Sequence, residues 1–215
     1  MSELAAVLAD VAEQFERLQI RFAVVGGLAV SVRGRARFTQ DADFAVAVPS
    51  DAEAERLARE LRACGYRILA QVEHRQTQRL AILRLASPRS SGPNSFMVDL
   101  LFASSGLEPE VVAAAQPAEV LAGMRLPVAL RGHLIAMKVV SASEKRWQDK
   151  VDLLDLIARA EANDLPLART ALESVHRQGL EPDRDLLQEL DGYVRLAAEP
   201  DVTFSPRSLP PTPPA

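Results

Sequence analysis

Cysteine, histidine and long apolar runs are all scarce in this sequence of 215 residues. Its single cysteine, Cys64, cannot form an internal disulfide, which fits a reducing compartment. The best apolar stretch, residues 22–30, is shorter than the roughly 20 residues that a membrane-spanning helix needs. The first residues lack the basic segment of a secretory signal. We therefore expect a cytoplasmic protein with no membrane partner.

The charge balance is mildly acidic, with 25 lysines and arginines against 29 acidic residues. The resulting formal charge of −4 disfavours a protein that coats nucleic acid through charge alone, although a local basic site is compatible with it. Hydrophobic residues make up 48% of the chain, which is typical of a globular protein and excludes a disordered or fibrous one.

Hydrophobic periodicity changes character near residue 105. Before that point it predicts helices over residues 3–18, 28–33 and 51–63, and strands over residues 22–25, 43–48, 66–72, 79–86 and 95–102. The last three strands follow one another over short connections, so we expect them to pair antiparallel. After that point the spacing predicts helices alone, over residues 110–115, 131–146, 149–162, 166–178 and 183–198.

These patterns predict an α+β protein with a mixed β-sheet. The α+β core is expected over residues 1–105 and a helical domain over residues 106–199. Residues 200–215 hold six of the fourteen prolines, which predicts an extended or disordered tail.

A pair of glycines, Gly26 and Gly27, lies between the first predicted strand and a short helix. Without side chains the pair lets the backbone approach a bulky anion, and the free N–H groups of the helix that follows attract phosphate. Paired glycines also occur in ordinary sharp turns between a strand and a helix. The pair alone therefore does not identify a phosphate site.

Two carboxylates open the strand that comes next. Asp41 and Asp43 are two residues apart, so their side chains point to the same face of a strand, about 6–7 Å apart at the backbone. Like charges beside an apolar run are costly unless something neutralises them, and this spacing suits a hard divalent cation. A solvated turn is the alternative, and it explains Asp41 better than it explains the pair.

A third acid, Asp99, lies inside the apolar segment 97–102. It is either metal-bound, paired with an arginine, or exposed on an edge strand. The order of the glycine pair, Asp41, Asp43 and Asp99 is more specific than any part of it. Three carboxylates on neighbouring strands can hold two magnesium ions that bind a nucleoside triphosphate (NTP), activate a hydroxyl and stabilise the leaving pyrophosphate. Such a transfer needs no Cys, Ser or His nucleophile.

The segment from Gly26 to Asp43 resembles the nucleotidyltransferase superfamily that includes DNA polymerase β, and more closely the AbiEii/AbiGii-type toxin nucleotidyltransferases. In that family the glycine pair precedes an Arg-x-Ser/Thr-x-Asp-x-Asp cluster, which is matched here by Arg37, Thr39, Asp41 and Asp43. The family's lysine helix and its following Asp-x-x-Asp segment are matched by Lys138, Arg146, Asp149 and Asp152. The resemblance covers roughly residues 20–160.

Two positions depart from the family pattern. The family often has lysine directly before the first acid of its last motif, where this chain has Gln148. The residue between the paired acids is commonly Ile or Val, and here it is Ala42. Neither departure removes a candidate metal ligand, so the enzymatic interpretation stands.

The resemblance implies a nucleotidyltransferase core with a mixed sheet, completed by the helical domain. We expect the metal, Mg²⁺ or in its place Mn²⁺, at Asp41, Asp43 and Asp99. The nucleotide is expected at Gly26, Gly27, Arg37, Thr39 and Lys138. Catalysis is expected to involve Asp41, Asp43, Lys138, Asp149 and Asp152. The resemblance also implies RNA, such as a tRNA end, as the acceptor and an antitoxin as the partner.

Simpler interpretations stay open for the helical residues. Lys138 lies one turn after Leu134 at the edge of an apolar stripe, where an ordinary boundary lysine is the alternative. Asp149, Asp152 and Asp155 recur every three residues, and an acidic stripe is usually a solvated face. The resemblance implies that Asp149 or Asp152 contributes to the site, by orienting Lys138 or by accepting a proton.

Basic and aromatic residues near the motifs have weaker interpretations. Arg33, Arg35 and Arg37 form a basic patch in which Arg37 contacts phosphate and the other two attract nucleic acid, with a solvated loop favoured for Arg35. The surface could be extended by Arg75, Arg79 and Arg84. The only tryptophan, Trp147, is expected to be buried between helices rather than to stack on a base.

Two other functions remain compatible with the sequence. One is a nucleotidyltransferase that acts on a small molecule or a protein. The other is a catalytically silent nucleotide-binding or antitoxin-like module that keeps the fold. Transfer assays with labelled NTPs and an Asp41 variant distinguish these alternatives.

Overall fold

The computed structural model describes residues 2–73, 79–90, 96–102, 105–142 and 147–199. The helices in these ranges are α1 (Glu3–Arg17), α2 (Gly26–Arg33), α3 (Asp51–Ala63), α4 (Glu108–Ala114), α5 (Arg131–Ser141), α6 (Trp147–Ala158), α7 (Asp164–Arg177) and α8 (Leu186–Ala198). The strands are β1 (Phe22–Val24), β2 (Asp41–Val46), β3 (Arg67–Glu73), β4 (Leu80–Ala86), β5 (Met97–Leu101), β6 (Gln116–Leu121) and β7 (Met124–Val128). The predicted proline-rich tail, 200–215, lies outside the described residues.

The strands of the described ranges form one mixed sheet in the order β3-β4-β5-β2-β1-β7-β6. Strand β2 is parallel to β5, and β1 is parallel to β7. The other neighbouring strands are antiparallel, including the consecutive strands β3, β4 and β5. The structure therefore confirms the predicted α+β class with a mixed sheet.

Local signals explain where several elements begin and how they pack. Helix α3 begins after Ser50, whose hydroxyl oxygen accepts a hydrogen bond from the Glu53 backbone N–H at 3.3 Å. Helix α1 buries one apolar stripe that ends at Phe15. The Phe15 ring lies 4.9 Å from that of Phe22 and 5.6 Å from that of Phe44. This aromatic cluster attaches α1 to β1 and β2, the two strands that flank the glycine turn.

The hairpin β6–β7 is the main difference from the sequence prediction. The predicted boundary at residue 105 does not separate sheet from helices, because β7 pairs with β1 in the same sheet. Pro117 and Pro127 face each other in this hairpin, and proline is uncommon in strands because it has no N–H to donate. The edge position of β6 tolerates Pro117. The register between β7 and β1 involves only Val128 of β7, so Pro127 does not need to donate a backbone hydrogen bond to β1.

The C-terminal helices pack around α5, which contacts α6, α7 and α8. Helix α5 also contacts α2, and so the helical part lies against the glycine turn of the sheet. None of the helices in the described ranges combines the length and the apolarity that crossing a membrane requires.

Gly132 provides a test of this helix packing. It is buried in α5, and a Cβ atom there would lie 2.5 Å from the Asp164 carbonyl oxygen and 2.9 Å from the Leu167 Cβ of α7. We expect Gly132→Ala to lower the free energy of unfolding by about 1–3 kcal/mol in urea denaturation, since the backbone of α7 must shift. The control is Gly192→Ala in α8, where no atom lies within 4 Å and alanine's helix propensity should stabilise by up to about 1 kcal/mol. Equal effects of the two variants would contradict the tight contact.

Candidate active site

A cleft of about 1100 Å³ opens beside the middle of the sheet, the start of α2, and helices α5 and α6. Nine of the ten predicted site residues line it: Gly26, Gly27, Arg37, Thr39, Asp41, Asp43, Asp99, Lys138 and Asp149. The tenth, Asp152, lies behind the lining with a 2% exposed side chain and contacts both Arg37 and Lys138. The fold therefore brings together residues that are up to 126 positions apart in the sequence.

Glycine is required in this turn because of close contacts and because of the backbone conformation. Gly26 has a φ of +58°, which favours glycine, and a Cβ atom there would overlap the Asp43 carboxylate. A Cβ atom at Gly27 would lie 2.8 Å from Arg37 Nη2 and 2.8 Å from Thr39 Oγ1. The residue before α2, Val25, gives no side-chain cap, and the Gly27 N–H points to Asp43 Oδ2 at 3.4 Å. The start of α2 thus presents backbone N–H groups to the cleft.

The carboxylates Asp41 and Asp43 lie on one face of β2, as their spacing predicted. Burial raises the pKa of Asp43 to about 7, and the nearby charges of Asp99 and Asp41 add to the effect. The pKa of Asp41 is also raised, first by burial and then by Asp99. Asp41 Oδ1 is buried, and no residue in the described ranges forms a hydrogen bond with it. Negative charge is therefore concentrated here beyond what the neighbouring groups neutralise.

Asp99 lies next to Asp43 on the neighbouring strand, but both of its carboxylate oxygens accept hydrogen bonds from an arginine. Asp43 and Asp99 are in register between β2 and β5, and Asp99 and Arg84 are in register between β5 and β4. Arg84 donates from Nε to Asp99 Oδ1 at 2.8 Å and from Nη2 to Asp99 Oδ2 at 2.5 Å. The sequence left three possibilities for Asp99, and this contact corresponds to one of them, pairing with an arginine. A metal at Asp99 stays a prediction.

A second cluster links the helical part to the loop before β2. Lys138 Nζ donates to Asp149 Oδ1 at 2.5 Å and to Asp152 Oδ2 at 2.9 Å. Arg37 Nη2 also donates to Asp152 Oδ2, at 3.0 Å. Gln148, at the position where the family often has lysine, donates from Nε2 to Asp152 Oδ1 at 2.9 Å. Both candidate acids of α6 therefore contact Lys138, and Asp152 is shared by two cations.

The remaining basic residues have mostly structural contacts. The Arg33 guanidinium donates to the backbone oxygens of Ala129 and Val128, so it does not extend toward an acceptor. Arg35 is exposed, in agreement with the solvated-loop alternative. Arg79 pairs with Asp51 at 3.1 Å. Two further basic residues of the sequence argument, Arg75 and Arg146, lie outside the described residues.

Two exposed aromatic residues differ from what the sequence indicated. Trp147 is 53% exposed, so the expected buried position is wrong. Its place at the first residue of α6 explains this, because the buried side chains of that helix begin only at Asp152. Phe38 lies between two predicted nucleotide ligands, lines the cleft and is 77% exposed. A single aromatic residue in a loop belongs to no periodic pattern, so the sequence did not indicate Phe38 as a site residue.

The raised pKa of Asp43 predicts a pH-dependent stability difference. At pH 5 the folded protein carries a protonated, neutral Asp43, whereas at pH 8 the side chain is charged and its burial is penalised. We expect Asp43→Asn to raise the melting temperature by about 3–8 °C more at pH 8 than at pH 5, measured by circular dichroism. The exposed Asp183→Asn is the control and should show no such difference. A gain that is larger at pH 5 would contradict the raised pKa.

The shared position of Asp152 predicts a large loss of stability on neutralisation. Asp152→Asn leaves Arg37 without its charge partner and Lys138 with one partner, and we expect a loss of about 3 kcal/mol in urea denaturation. The matched control is Asp155→Asn. Asp155 lies one turn further along α6, and its Oδ2 accepts a hydrogen bond from the Arg35 N–H. The prediction fails if the control loses as much.

The chain is similar to several solved structures at low identity. Among solved structures, the lincosamide antibiotic adenylyltransferase LnuA with lincomycin bound has a TM-score of 0.45 at 13% identity, over 72% of this chain and 97% of that one. ANT(2")-Ia in complex with adenylyl-2"-tobramycin has a TM-score of 0.45 at 15% identity, over 92% and 100%. JHP933 from Helicobacter pylori has a TM-score of 0.39 at 16% identity, over 90% and 88%. These similarities are too low to assign a substrate.

The family comparison is the decisive one. No curated protein matches the chain. A family model described as nucleotidyl transferase AbiEii toxin of type IV toxin–antitoxin systems matches residues 8–213, nearly the whole chain. The resemblance predicted from the motifs is confirmed. The chain therefore belongs to the AbiEii toxin family and is a nucleotidyltransferase.

Proposed function

We propose that the protein moves a nucleoside monophosphate from an NTP to an acceptor hydroxyl, releases pyrophosphate, and depends on a divalent metal. The observation that carries the proposal is the arrangement of Asp41 and Asp43 beside the glycine turn. Carboxylates, backbone N–H groups and cations then face one cleft, which is what phosphoryl-group transfer requires.

The residues present fit a divalent cation at Asp41 and Asp43. Oxygen donors are the ligands that Mg²⁺ and Mn²⁺ prefer, and Asp41 Oδ1, with which no described residue forms a hydrogen bond, is a buried oxygen that such an ion would satisfy. Within the described ranges no group of three or more His, Cys, Asp or Glu side chains is arranged to hold a metal, so the fit rests on these two carboxylates. When bound, the ion would activate the attacking hydroxyl and neutralise charge on the phosphates.

The chain's own residues would hold the triphosphate. The N–H groups at the start of α2 can donate to phosphate oxygens, with Gly26 and Gly27 allowing close approach. Arg37 and Thr39 lie against Gly27 and face the same position. Lys138 has three donors, of which two are directed to Asp149 and Asp152, so a phosphate oxygen can accept from the third.

Asp149 and Asp152 are proposed to orient Lys138 rather than to contact the nucleotide. Asp152 has a 2% exposed side chain, and its oxygens accept from Lys138, Arg37 and Gln148. Asp149 is held by Lys138 and by the Ser141 hydroxyl at 3.4 Å. In this way residues 106–199 complete the active site from the helical side.

The proposed acceptor is RNA, such as a tRNA end, with an antitoxin as the partner of the toxin. The cleft exceeds the roughly 300–1000 Å³ of ordinary small-ligand pockets, so it has room for an NTP together with the end of an acceptor. Phe38 at the cleft offers an aromatic surface to a base. Membership of a toxin family supports a macromolecular acceptor.

A transfer assay tests the function. Purified protein is incubated with each α-labelled NTP, Mg²⁺ or Mn²⁺, and total tRNA, aminoglycosides or protein acceptors in turn. We expect label on tRNA and release of pyrophosphate, and we expect Asp41→Asn to lower the rate by at least about 10³-fold, because a carboxylate that would bind the ion is neutralised. Asp183→Asn is the control and should keep full activity.

Other outcomes decide between the alternatives. Label on an aminoglycoside or a protein, with none on tRNA, would support the small-molecule or protein acceptor. If wild type and Asp41→Asn bind NTP in calorimetry and transfer equally little, the chain is a nucleotide-binding module without catalysis.

A further inference from the structure

The row of charged residues across the sheet contains one cation that the transfer mechanism does not use. Arg84 of β4, Asp99 of β5 and Asp43 of β2 occupy consecutive positions in this row, since each is in register with the next. Asp41 is two residues before Asp43 on the same face of β2. A positively charged side chain is thus built into the group of carboxylates that would bind metal.

Arg84 occupies both oxygens of Asp99. The two hydrogen bonds, 2.8 and 2.5 Å long, use the Nε and Nη2 donors in the forked geometry that makes arginine–carboxylate pairs strong. The Asp99 side chain is 9% exposed and the Arg84 side chain 40%, so solvent reaches the pair mainly from the arginine side. A metal ion at Asp99 would have to share these two oxygens with the guanidinium or displace it.

The other two carboxylates differ from Asp99 in this respect. Among the described residues none forms a hydrogen bond with Asp41 Oδ1, and Asp43 Oδ2 accepts a long hydrogen bond from the Gly27 N–H at 3.4 Å. The three carboxylates carry a formal charge of −3, and Arg84 contributes +1. Arg84 therefore already offsets part of the negative charge of this row.

We propose that Arg84 takes the place of a second divalent ion at Asp99, so that the protein's site binds one divalent ion, at Asp41 and Asp43. The inference rests on the proposed function, because it concerns the metal of that reaction. Arg84 is then a positioning residue that fixes Asp99. Its side chain is 40% exposed and lines the cleft, so it also presents positive charge where phosphate groups would approach.

Titration of the protein with Mn²⁺, followed by electron paramagnetic resonance, tests the inference without any activity measurement. We expect one Mn²⁺ per wild-type chain. Arg84→Met frees Asp99, and a second Mn²⁺ should then bind at least tenfold more tightly than any second ion binds to wild type. The double variant Arg84→Met/Asp99→Asn removes both charges of the pair, and the second site should disappear again.

A matched control and a folding check accompany these variants. Arg79→Met breaks the Arg79–Asp51 pair outside the row and should leave one Mn²⁺ site. Circular dichroism checks the fold of each variant. If Arg84→Met does not fold, Asp99→Asn alone decides the question, because under this inference it keeps one Mn²⁺ site.

Three results would overturn this inference alone. They are two Mn²⁺ sites in wild type, the loss of a site in Asp99→Asn, and a single site in a folded Arg84→Met. The absence of any Mn²⁺ binding to wild type would overturn the proposed metal-dependent function and this inference with it. Two wild-type sites would leave the proposed function intact.

Discussion

The buried carboxylate of Asp152 is the point on which both sides of the cleft depend. Its side chain is 2% exposed and accepts from Lys138 of α5, from Arg37 in the loop before β2 and from Gln148 of its own helix. Burying a charge is costly unless it is paired, and here the pairing ties two segments of distant sequence to α6. Because the Arg37 side chain also lies against Gly27, this contact joins the glycine turn to the C-terminal helices, in addition to the direct packing of α2 on α5 and α6.

Much of the site could be predicted because its signals are local. The period of two along β2 places Asp41 and Asp43 on one face, and the strand–glycine–helix order indicates a turn that exposes N–H groups. Most element positions follow from apolar spacing and from caps such as Ser50. The roles of Lys138 and the α6 acids came from the family resemblance, since periodicity alone gave an ordinary boundary lysine and an acidic stripe.

The features that the sequence did not predict depend on which distant segments become neighbours. The pairing of Arg84 with Asp99 follows from strand register between β4 and β5, and no property of either residue specifies that register. The hairpin β6–β7 carries Pro117 and Pro127, which argue against strands unless the edge position is known. Trp147 was misplaced because an apolar stripe shows which face of a helix is buried, and does not show at which residue burial starts.

Any side chain at position 26 would overlap the Asp43 carboxylate, and this limits where the sequence of this enzyme can vary. Gly26 and Asp43 are in direct contact, so a side chain at position 26 would require Asp43 to move. Variation in substrate preference has more freedom on β3 and β4, from which Ala70, Val72 and Ile82 line another part of the cleft. Related enzymes with new acceptors would therefore keep the glycine turn and Asp43 and change the part of the cleft that β3 and β4 form.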